Sequence, residues 1–239
     1  MKNIFPVLIL NARPGAGKSE ISHYLQQIPL DERIDRYHVG PMHILDDFPL
    51  LWAWFEEDDL LERVFGRPRS HTTPDEDFLH HDLWHLLIRR LSLDYDKWCR
   101  DNENEGTVLI EFSRGNEHGG YQAAYQHLSD TILKQAASFY VQVSYQESLR
   151  KNRKRRNPER PDSILEHSLA DIKMEHLYRE DDWADFTADS PTHLTVRGIR
   201  VPYVIFENED DVTSAKGEAL RARLEKALGR LWTLKQDSL

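Results

Sequence analysis

The chain has 239 residues, of which 39% are hydrophobic and 30% charged, a balance that excludes a disordered chain and suits one domain with a full core. Its single cysteine, Cys99, excludes a disulfide within the chain and a cysteine-based zinc site, and no apolar run approaches the roughly 20 residues of a membrane span. The net charge of −10 argues against a protein that coats nucleic acid with its whole surface.

Five apolar runs with β-strand character are separated by helical patterns. The first, residues 7–11, belongs to an amino-terminal apolar stretch without the cleavage site of a secretory signal, so we expect a buried strand and a cytoplasmic protein. Further strands are predicted at residues 37–45, 107–112, 139–143 and 201–206, and helices at residues 18–27, 78–99, 120–136 and 215–234. Short apolar strands that alternate with helices predict a three-layer α/β fold whose sheet is five-stranded, mainly parallel and covered on both faces.

Two segments interrupt this alternation. Residues 46–100, after the second predicted strand, are rich in tryptophan, histidine and acidic residues, and residues 150–186, after the fourth, are polar and highly charged. Because α/β proteins bind ligands at the carboxyl ends of their strands, we expect both segments to be mobile, substrate-facing parts of a single domain over residues 1–239. The other interpretation is a pair of surface helical hairpins.

Residues 12–19 (Ala-Arg-Pro-Gly-Ala-Gly-Lys-Ser) match the P-loop pattern G-x-x-x-x-G-K-[ST], with alanine in place of the first glycine. A predicted strand leads into this segment and a predicted helix follows it, as in nucleotide-binding loops. The glycines allow backbone N–H groups to curl around phosphate oxygens, the lysine offers a positive charge to the β- and γ-phosphates, and the serine offers its hydroxyl to Mg²⁺. The residues predicted to bind nucleotide here are Arg13, Pro14, Gly15, Ala16, Gly17, Lys18, Ser19 and Glu20.

Acidic residues stand at the ends of the second and third predicted strands. Asp46 and Asp47 close the second strand, and Glu111 ends the third. An alcohol that attacks a γ-phosphoryl group must lose a proton, which a carboxylate aimed at it can accept. No N-K-x-D segment for reading guanine is present, and the length leaves little room for the helical lid domain of a ring-forming ATPase. The other interpretation of the acidic pair is a turn that contacts only water.

Together these motifs resemble the uridine kinase, nicotinamide riboside kinase and phosphoribulokinase group of P-loop kinases. The resemblance implies that Asp46 is the general base, or helps to hold Mg²⁺, and that Asp47 contacts the substrate. It also implies that Glu111 orients Mg²⁺ with Ser19. Arg114, three residues further on, is a candidate for binding the acceptor or its phosphate.

A basic segment follows the fourth predicted strand: residues 150–160 carry seven cations and one anion. The kinase group has an arginine-rich lid at this position, which implies that Arg155 stabilises the charge on the transferred phosphoryl group and that Arg160 contacts the substrate. Arg156 and Pro161 replace the Asp and Gly of the group's pattern. A patch for nucleic acid or another anionic surface, and a solvated helix face, are the alternative interpretations.

Three weaker signals complete the candidate site. Asn208, after the last predicted strand, resembles the kinase group's residue near the adenine. Four aromatic residues of the first segment form either a platform for a ring-shaped acceptor or a small satellite core: Trp52, Trp54, Phe55 and Trp84. His81 and His85 have the i, i+4 spacing of metal ligands on a helix, and helix packing or a polar substrate wall is the other interpretation.

The resemblance therefore implies a P-loop NTPase with a helical substrate-binding insertion at residues 46–100 and an arginine-rich lid at residues 150–186. The implied function is phosphoryl transfer, with ATP and Mg²⁺, to a small-molecule acceptor, most simply a hydroxyl of a nucleoside-, vitamin- or sugar-like compound. Neither a membrane nor nucleic acid is an expected partner. Two other functions stay open: a nucleotide-dependent regulatory ATPase whose basic segment docks a partner, and a nucleotide-binding module without catalysis.

Overall fold

A six-stranded sheet organises the chain, which the computed structural model describes over residues 3–102, 105–155, 159 and 168–238. The strands are β1 (Val7–Ala12), β2 (Met42–Asp46), β3 (Thr107–Phe112), β4 (Ala136–Gln142), β5 (His193–Val196) and β6 (Ile199–Glu207). Their order across the sheet is β2-β3-β1-β4-β6-β5, and every neighbouring pair is parallel except β5 with β6. The strand that leads into the P-loop, β1, therefore lies inside the sheet, with β3 and β4 on either side.

Helices cover both faces of this sheet. They are α1 (Lys18–Gln27), α2 (Leu30–Tyr37), α3 (Phe48–Phe65), α4 (Leu83–Asn102), α5 (Gly120–His127), α6 (Asp130–Gln135), α7 (Tyr145–Arg155), α8 (Asp171–Tyr178), α9 (Trp183–Phe186), α10 (Val212–Ala215) and α11 (Gly217–Gln236). A short 3₁₀ turn, Asn116–His118, precedes α5. In the described part of the chain, no helix is both long and apolar enough to cross a membrane.

Two hydrophobic cores, one on each face, produce the three layers. Alternate residues of β1 point to opposite faces: Leu8 and Leu10 join the core formed with α1, α2 and α11, whereas Val7 and Ile9 join the core formed with α4, α5 and α6. All six residues of β1 are buried, as are all six of β3. Continuous burial explains why these strands are unbroken apolar runs rather than alternating patterns.

The sequence predicts five strands, and the sixth, β5, is the one that it misses. This strand has only four residues and forms a hairpin with β6, in which Val196 pairs with Ile199 across a two-residue turn. Both turn residues, Arg197 and Gly198, have positive φ (48° and 79°), the geometry of a tight hairpin turn. A strand this short contributes too few residues for its pattern to be recognised alone.

Other elements also differ from the prediction. The predicted strand at 37–45 begins too early, because Tyr37 is the last residue of α2, and His38 (φ 56°) ends that helix. The predicted helix at 120–136 is two helices, since Ser129 caps α6 by accepting a hydrogen bond from the Ile132 backbone N–H. The long apolar helix α3 has no counterpart among the predicted helices.

The two interrupting segments differ in how much of them is described. Residues 46–100 are all described, and they contain α3, most of α4 and the residues that connect the two helices. Of residues 150–186, positions 156–158 and 160–167 lie outside the described residues. The helices that follow, α8 and α9, bury Met174, Tyr178 and Trp183. In its described part, this segment is packed against the domain rather than held away from it.

Candidate active site

The loop between β1 and α1 has the backbone shape that its glycines predict. Gly15 has φ 73° and Gly17, which begins α1, has φ 117°. A Cβ atom on Gly17 would lie 2.7 Å from Thr213 Oγ1 and 2.8 Å from Asn208 Nδ2, too close for any real side chain. Glycine is therefore required at position 17 for two reasons, the positive φ and the close approach.

Replacing Gly17 with alanine should weaken nucleotide binding about tenfold or more, because a positive φ costs about 1–2 kcal/mol in an L-residue and the clash displaces the loop further. Isothermal titration with Mg²⁺ and a non-hydrolysable ATP analogue measures the change in affinity. Gly229→Ala is the matched control, since a Cβ atom there meets nothing within 4 Å. Unchanged affinity in Gly17→Ala would contradict the assignment of this loop to the nucleotide.

Asn208 supports the P-loop from the protein interior. Its Nδ2 donates to the Ala16 carbonyl (2.7 Å) and to Thr213 Oγ1 (2.9 Å), while its Oδ1 accepts from the Thr213 backbone N–H (3.2 Å). The residue has no exposed surface. Its side-chain amide is thus engaged within the protein, and the predicted contact of Asn208 with the adenine stays a prediction.

Arg13 is turned away from the phosphate side of the loop. Its guanidinium lies 2.8 Å from an Asp181 carboxylate oxygen and donates to the carbonyls of Tyr178 (3.1 Å) and Val143 (3.2 Å). The neighbouring carbonyl of Pro14 accepts a hydrogen bond from Ser148 Oγ (2.7 Å) on α7. The start of the P-loop is therefore fixed to α7 and to the end of α8, and the Arg13 side chain takes part in this support, while its predicted contact with nucleotide stays a prediction.

A cavity of about 220 Å³ lies at the carboxyl ends of β1, β2 and β3, where the P-loop, α3, α7 and α8 meet. It brings together most of the predicted site residues: Pro14, Gly15, Lys18, Ser19, Asp46, Asp47, Trp52, Glu111, Arg114 and Arg155. Five predicted residues do not line it: Arg13, Ala16, Gly17, Glu20 and Asn208. Arg160 lies outside the described residues. The cavity thus lies at the edge of the sheet where α/β proteins bind their ligands.

Two carboxylates share one end of the cavity because their strands are parallel neighbours. Asp46 and Glu111 are register partners at the ends of β2 and β3. Burial, helped by the nearby charges of Asp47 and Glu111, raises the pKa of Asp46 to about 7, against the opposing effects of the Phe48 backbone N–H and Lys18. Asp46 is therefore divided between its protonated and ionised forms near neutral pH.

Glu111 lies deeper than Asp46, with 4% of its surface exposed. Burial raises the pKa of its carboxyl group, while the hydrogen bond from Ser22 Oγ (2.5 Å) and the charge of Lys18 act in the opposite direction. Ser22 lies one turn after the P-loop serine, on the same helix. No sequence motif indicates Ser22, although its spacing from Ser19 places it on the same side of α1.

Lys18 is held by oxygen atoms from β1 and from the end of β3. Its Nζ donates to Ser113 Oγ (2.6 Å) and lies 3.5 Å from the Ala12 carbonyl. Burial lowers the pKa of the ammonium group, and the carboxylates of Glu111 and Asp46 offset part of that effect. Ser113, two residues after Glu111, is a site residue that the sequence reasoning missed.

Arg114 lies in the wall of the cavity, where the protein holds most of its guanidinium. One nitrogen is 2.7 Å from an Asp47 carboxylate oxygen, and another donates to the Trp84 carbonyl (3.1 Å). The guanidinium carbon lies 5.5 Å from the centre of the Trp84 ring, and the residue is 2% exposed. Asp47 and Arg114, both predicted to contact substrate, are thus paired with each other at the cavity.

Further aromatic and basic side chains line the cavity. Phe55 and Trp84 belong to the aromatic group predicted with Trp52, whose ring centre lies 6.2 Å from that of Phe55 and 6.0 Å from that of Phe48. The side chains that no motif indicated are Phe48, Phe78, Phe112, Lys173 and Tyr178.

The two histidines with the spacing of metal ligands, His81 and His85, pack outside the cavity. His81 shares a hydrogen bond with the Glu117 carbonyl (2.9 Å), and His85 stacks on His127 with ring centres 4.3 Å apart. Among the described residues, no group of three or more His, Cys, Asp or Glu is placed to hold a metal ion.

No protein-family model matches the chain, and no curated protein does. Solved structures with some likeness include a gluconokinase from Sinorhizobium meliloti 1021, which is 12% identical, with 99% of each chain covered and a TM-score of 0.47. A second, the crystal structure of APE1195, is 14% identical, with 99% of this chain and 97% of that chain covered and a TM-score of 0.34. Likeness at this level assigns the chain to no family, so its function has to be inferred from the geometry of the cavity.

Proposed function

We propose that this chain is an ATP- and Mg²⁺-dependent phosphotransferase that acts on a hydroxyl group of a small-molecule acceptor. One observation carries the proposal: Asp46 and Glu111 stand side by side at the strand ends, on the same cavity as Lys18 and Ser19 of the P-loop. A group that takes a proton and groups that bind phosphate and its metal are thus within one small volume.

The residues of the cavity fit a magnesium nucleotide. Among the described residues, Lys18 forms no ion pair, which leaves its positive charge for the β- and γ-phosphates. The Ser19 hydroxyl and the Glu111 carboxylate would supply hard oxygen atoms of the kind that Mg²⁺ prefers. When bound, the ion would neutralise charge on the transferred phosphoryl group.

Asp46 has the properties of a general base for the acceptor hydroxyl. Its carboxylate Oδ1 accepts a hydrogen bond from the Phe48 backbone N–H (3.0 Å). Its pKa of about 7 suits a general base that works near neutral pH, because such a base is most effective when its pKa is close to the operating pH. In this proposal Arg155, at the end of α7 on the cavity wall, stabilises the charge that develops during transfer. We also propose that the arginine-rich segment closes over the site during the reaction.

A screen of acceptors tests the function directly. Nucleosides, sugars, sugar acids, vitamins and aminoalcohols are added to the protein with Mg²⁺ and a non-hydrolysable ATP analogue, and ligands of the native state raise the unfolding midpoint. Compounds that do so are then incubated with γ-labelled ATP. We expect at least one hydroxyl compound to stabilise the protein only when the nucleotide analogue is present and to become labelled.

Two results would contradict the proposal and identify its alternatives. Steady ATP hydrolysis without an acceptor, stimulated by RNA, DNA or a protein, would indicate a regulatory ATPase. Tight ATP binding without turnover on any acceptor would indicate a nucleotide-binding module.

A further inference from the structure

Aromatic rings form most of the cavity beyond the P-loop, and we call this part the acceptor wall. Its rings belong to Phe48, Trp52, Phe55, Phe78, Trp84 and Tyr178. The first three come from α3, and Phe78 lies against Trp84 with ring centres 4.4 Å apart. A wall of this kind offers a large apolar surface and few groups that can hydrogen-bond to a ligand.

The charges of the acceptor wall are unequal. Its carboxylates are those of Asp46, Asp47, Glu76 and Asp77, and its cations are Arg114 and Lys173, while Lys18, Glu111 and Arg155 line the rest of the cavity. Each of the two cations on the wall lies beside one carboxylate: Arg114 is 2.7 Å from Asp47, and Lys173 is 3.4 Å from Asp77. The charge of Lys18 acts on Asp46, whereas Glu76 forms no ion pair among the described residues. A bound nucleotide would add negative charge at the other end of the cavity.

Arg114 shows that the wall accommodates positive charge on an aromatic face. Its guanidinium carbon lies 5.5 Å from the centre of the Trp84 ring and 5.6 Å from that of Phe112. Its Nε, buried in a residue only 2% exposed, has no hydrogen-bond acceptor among the described residues.

We propose that the acceptor is an organic cation, an alcohol whose positively charged nitrogen lies beside an aromatic or apolar body. This inference rests on the proposed function and specifies its substrate class. The apolar body would lie on the rings of α3, and the nitrogen would be attracted both by the ring faces and by Glu76. A polyhydroxylated acceptor fits less well, because Asp47, Asp77, Arg114 and Lys173 are already paired with one another.

A matched pair of probes separates charge from shape. Benzyl(hydroxyethyl)dimethylammonium carries the proposed features, and in its uncharged isostere a carbon atom replaces the nitrogen. Their affinities are measured by isothermal titration against the full chain with Mg²⁺ and a non-hydrolysable ATP analogue. We expect the cation to bind about tenfold more tightly, the size of a cation–π contact with some desolvation.

Glu76→Gln should reduce that preference to about threefold or less while leaving the affinity for the uncharged isostere and for the nucleotide unchanged. Glu76 is exposed and forms no ion pair among the described residues, so the variant is expected to fold. Glu57→Gln is the matched control: it removes the same charge from an exposed residue of α3 that does not line the cavity. Its preference for the cation should equal that of the unaltered chain.

Equal affinities for the two probes, tighter binding of the uncharged one, or no binding of either at millimolar concentration would overturn the inference. So would a preference that Glu76→Gln leaves intact. The proposed function fails on a different observation, the absence of labelled product from any acceptor. Nucleotide binding with no preference for the cation therefore counts against the substrate class alone.

Discussion

Lys18→Met is expected to lower kcat/KM for phosphoryl transfer about a thousandfold, which corresponds to a loss of about 4 kcal/mol of transition-state stabilisation. Methionine keeps most of the apolar stem of lysine and removes the ammonium group, with its charge and its hydrogen bond to Ser113. The ammonium group lies between Ser113 Oγ and the carboxylates of Asp46 and Glu111, and among the described residues it has no ion-pair partner. Its charge is therefore available to the phosphate, and steady-state kinetics at saturating Mg²⁺ measures its loss.

The expected loss is specific to the site and should not come from unfolding. Burial lowers the pKa of Lys18, which means that the protein environment disfavours the charge, so the unfolding midpoint of Lys18→Met should be at least as high as that of the unaltered chain. Lys226→Met removes the same charge from the exposed face of α11 and should leave kcat/KM unchanged. Turnover within a few-fold of normal in Lys18→Met would show that the P-loop does not bind the transferred phosphate.

The parts of the fold that the sequence predicts well are those with a regular pattern of burial. The helix predicted at residues 18–27 and the strand predicted at residues 107–112 agree with α1, which buries one face, and with β3, which is buried throughout, residue for residue. By contrast α3 has apolar residues around much of its circumference, so that the helical period is weak even though the segment is long. Several of those apolar residues line the cavity, and the pattern of a core-facing stripe is lost for that reason.

Some residues of the candidate site can be placed from the sequence and others cannot, depending on how far along the chain their partners lie. Asp46 and Glu111 could be placed together from sequence because the carboxyl ends of neighbouring parallel strands meet at one edge of a sheet. Asn208 and Arg13 could not be placed, since their partners are far along the chain: Ala16 is 192 residues from Asn208, and Tyr178 is 165 residues from Arg13. When a polar side chain forms its hydrogen bonds with atoms far along the chain, the neighbouring sequence does not reveal its role.

Asp46→Asn should lower kcat about a hundredfold to ten-thousandfold while the affinity for the magnesium nucleotide changes little. Asparagine keeps the Oδ1 atom that accepts from the Phe48 backbone N–H, so the local geometry is retained and only the proton-accepting carboxylate is lost. In the unaltered chain, kcat/KM should fall as the pH drops through about 7, because burial raises the pKa of Asp46 to that value and the protonated form cannot act as a base. Asp46→Asn should lose this step in the pH–rate profile, and Asp35→Asn, on the exposed surface of α2, is the control.

The same substitution should stabilise the fold, and the direction follows from the raised pKa. Unfolding returns the Asp46 pKa from about 7 to its usual 3.8, so the unfolded chain ionises first, and folding stability is lost between those two values as the pH rises. Asp46→Asn should therefore have a higher unfolding midpoint than the unaltered chain at about pH 8, and the two midpoints should converge at about pH 4. A variant that loses turnover and gains stability only at high pH would identify the burial of Asp46, together with the nearby charges of Asp47 and Glu111, as a cost in stability that catalysis requires. Lost turnover with a lower midpoint at every pH would instead mean that Asp46 supports the structure, and its assignment as the base would be wrong.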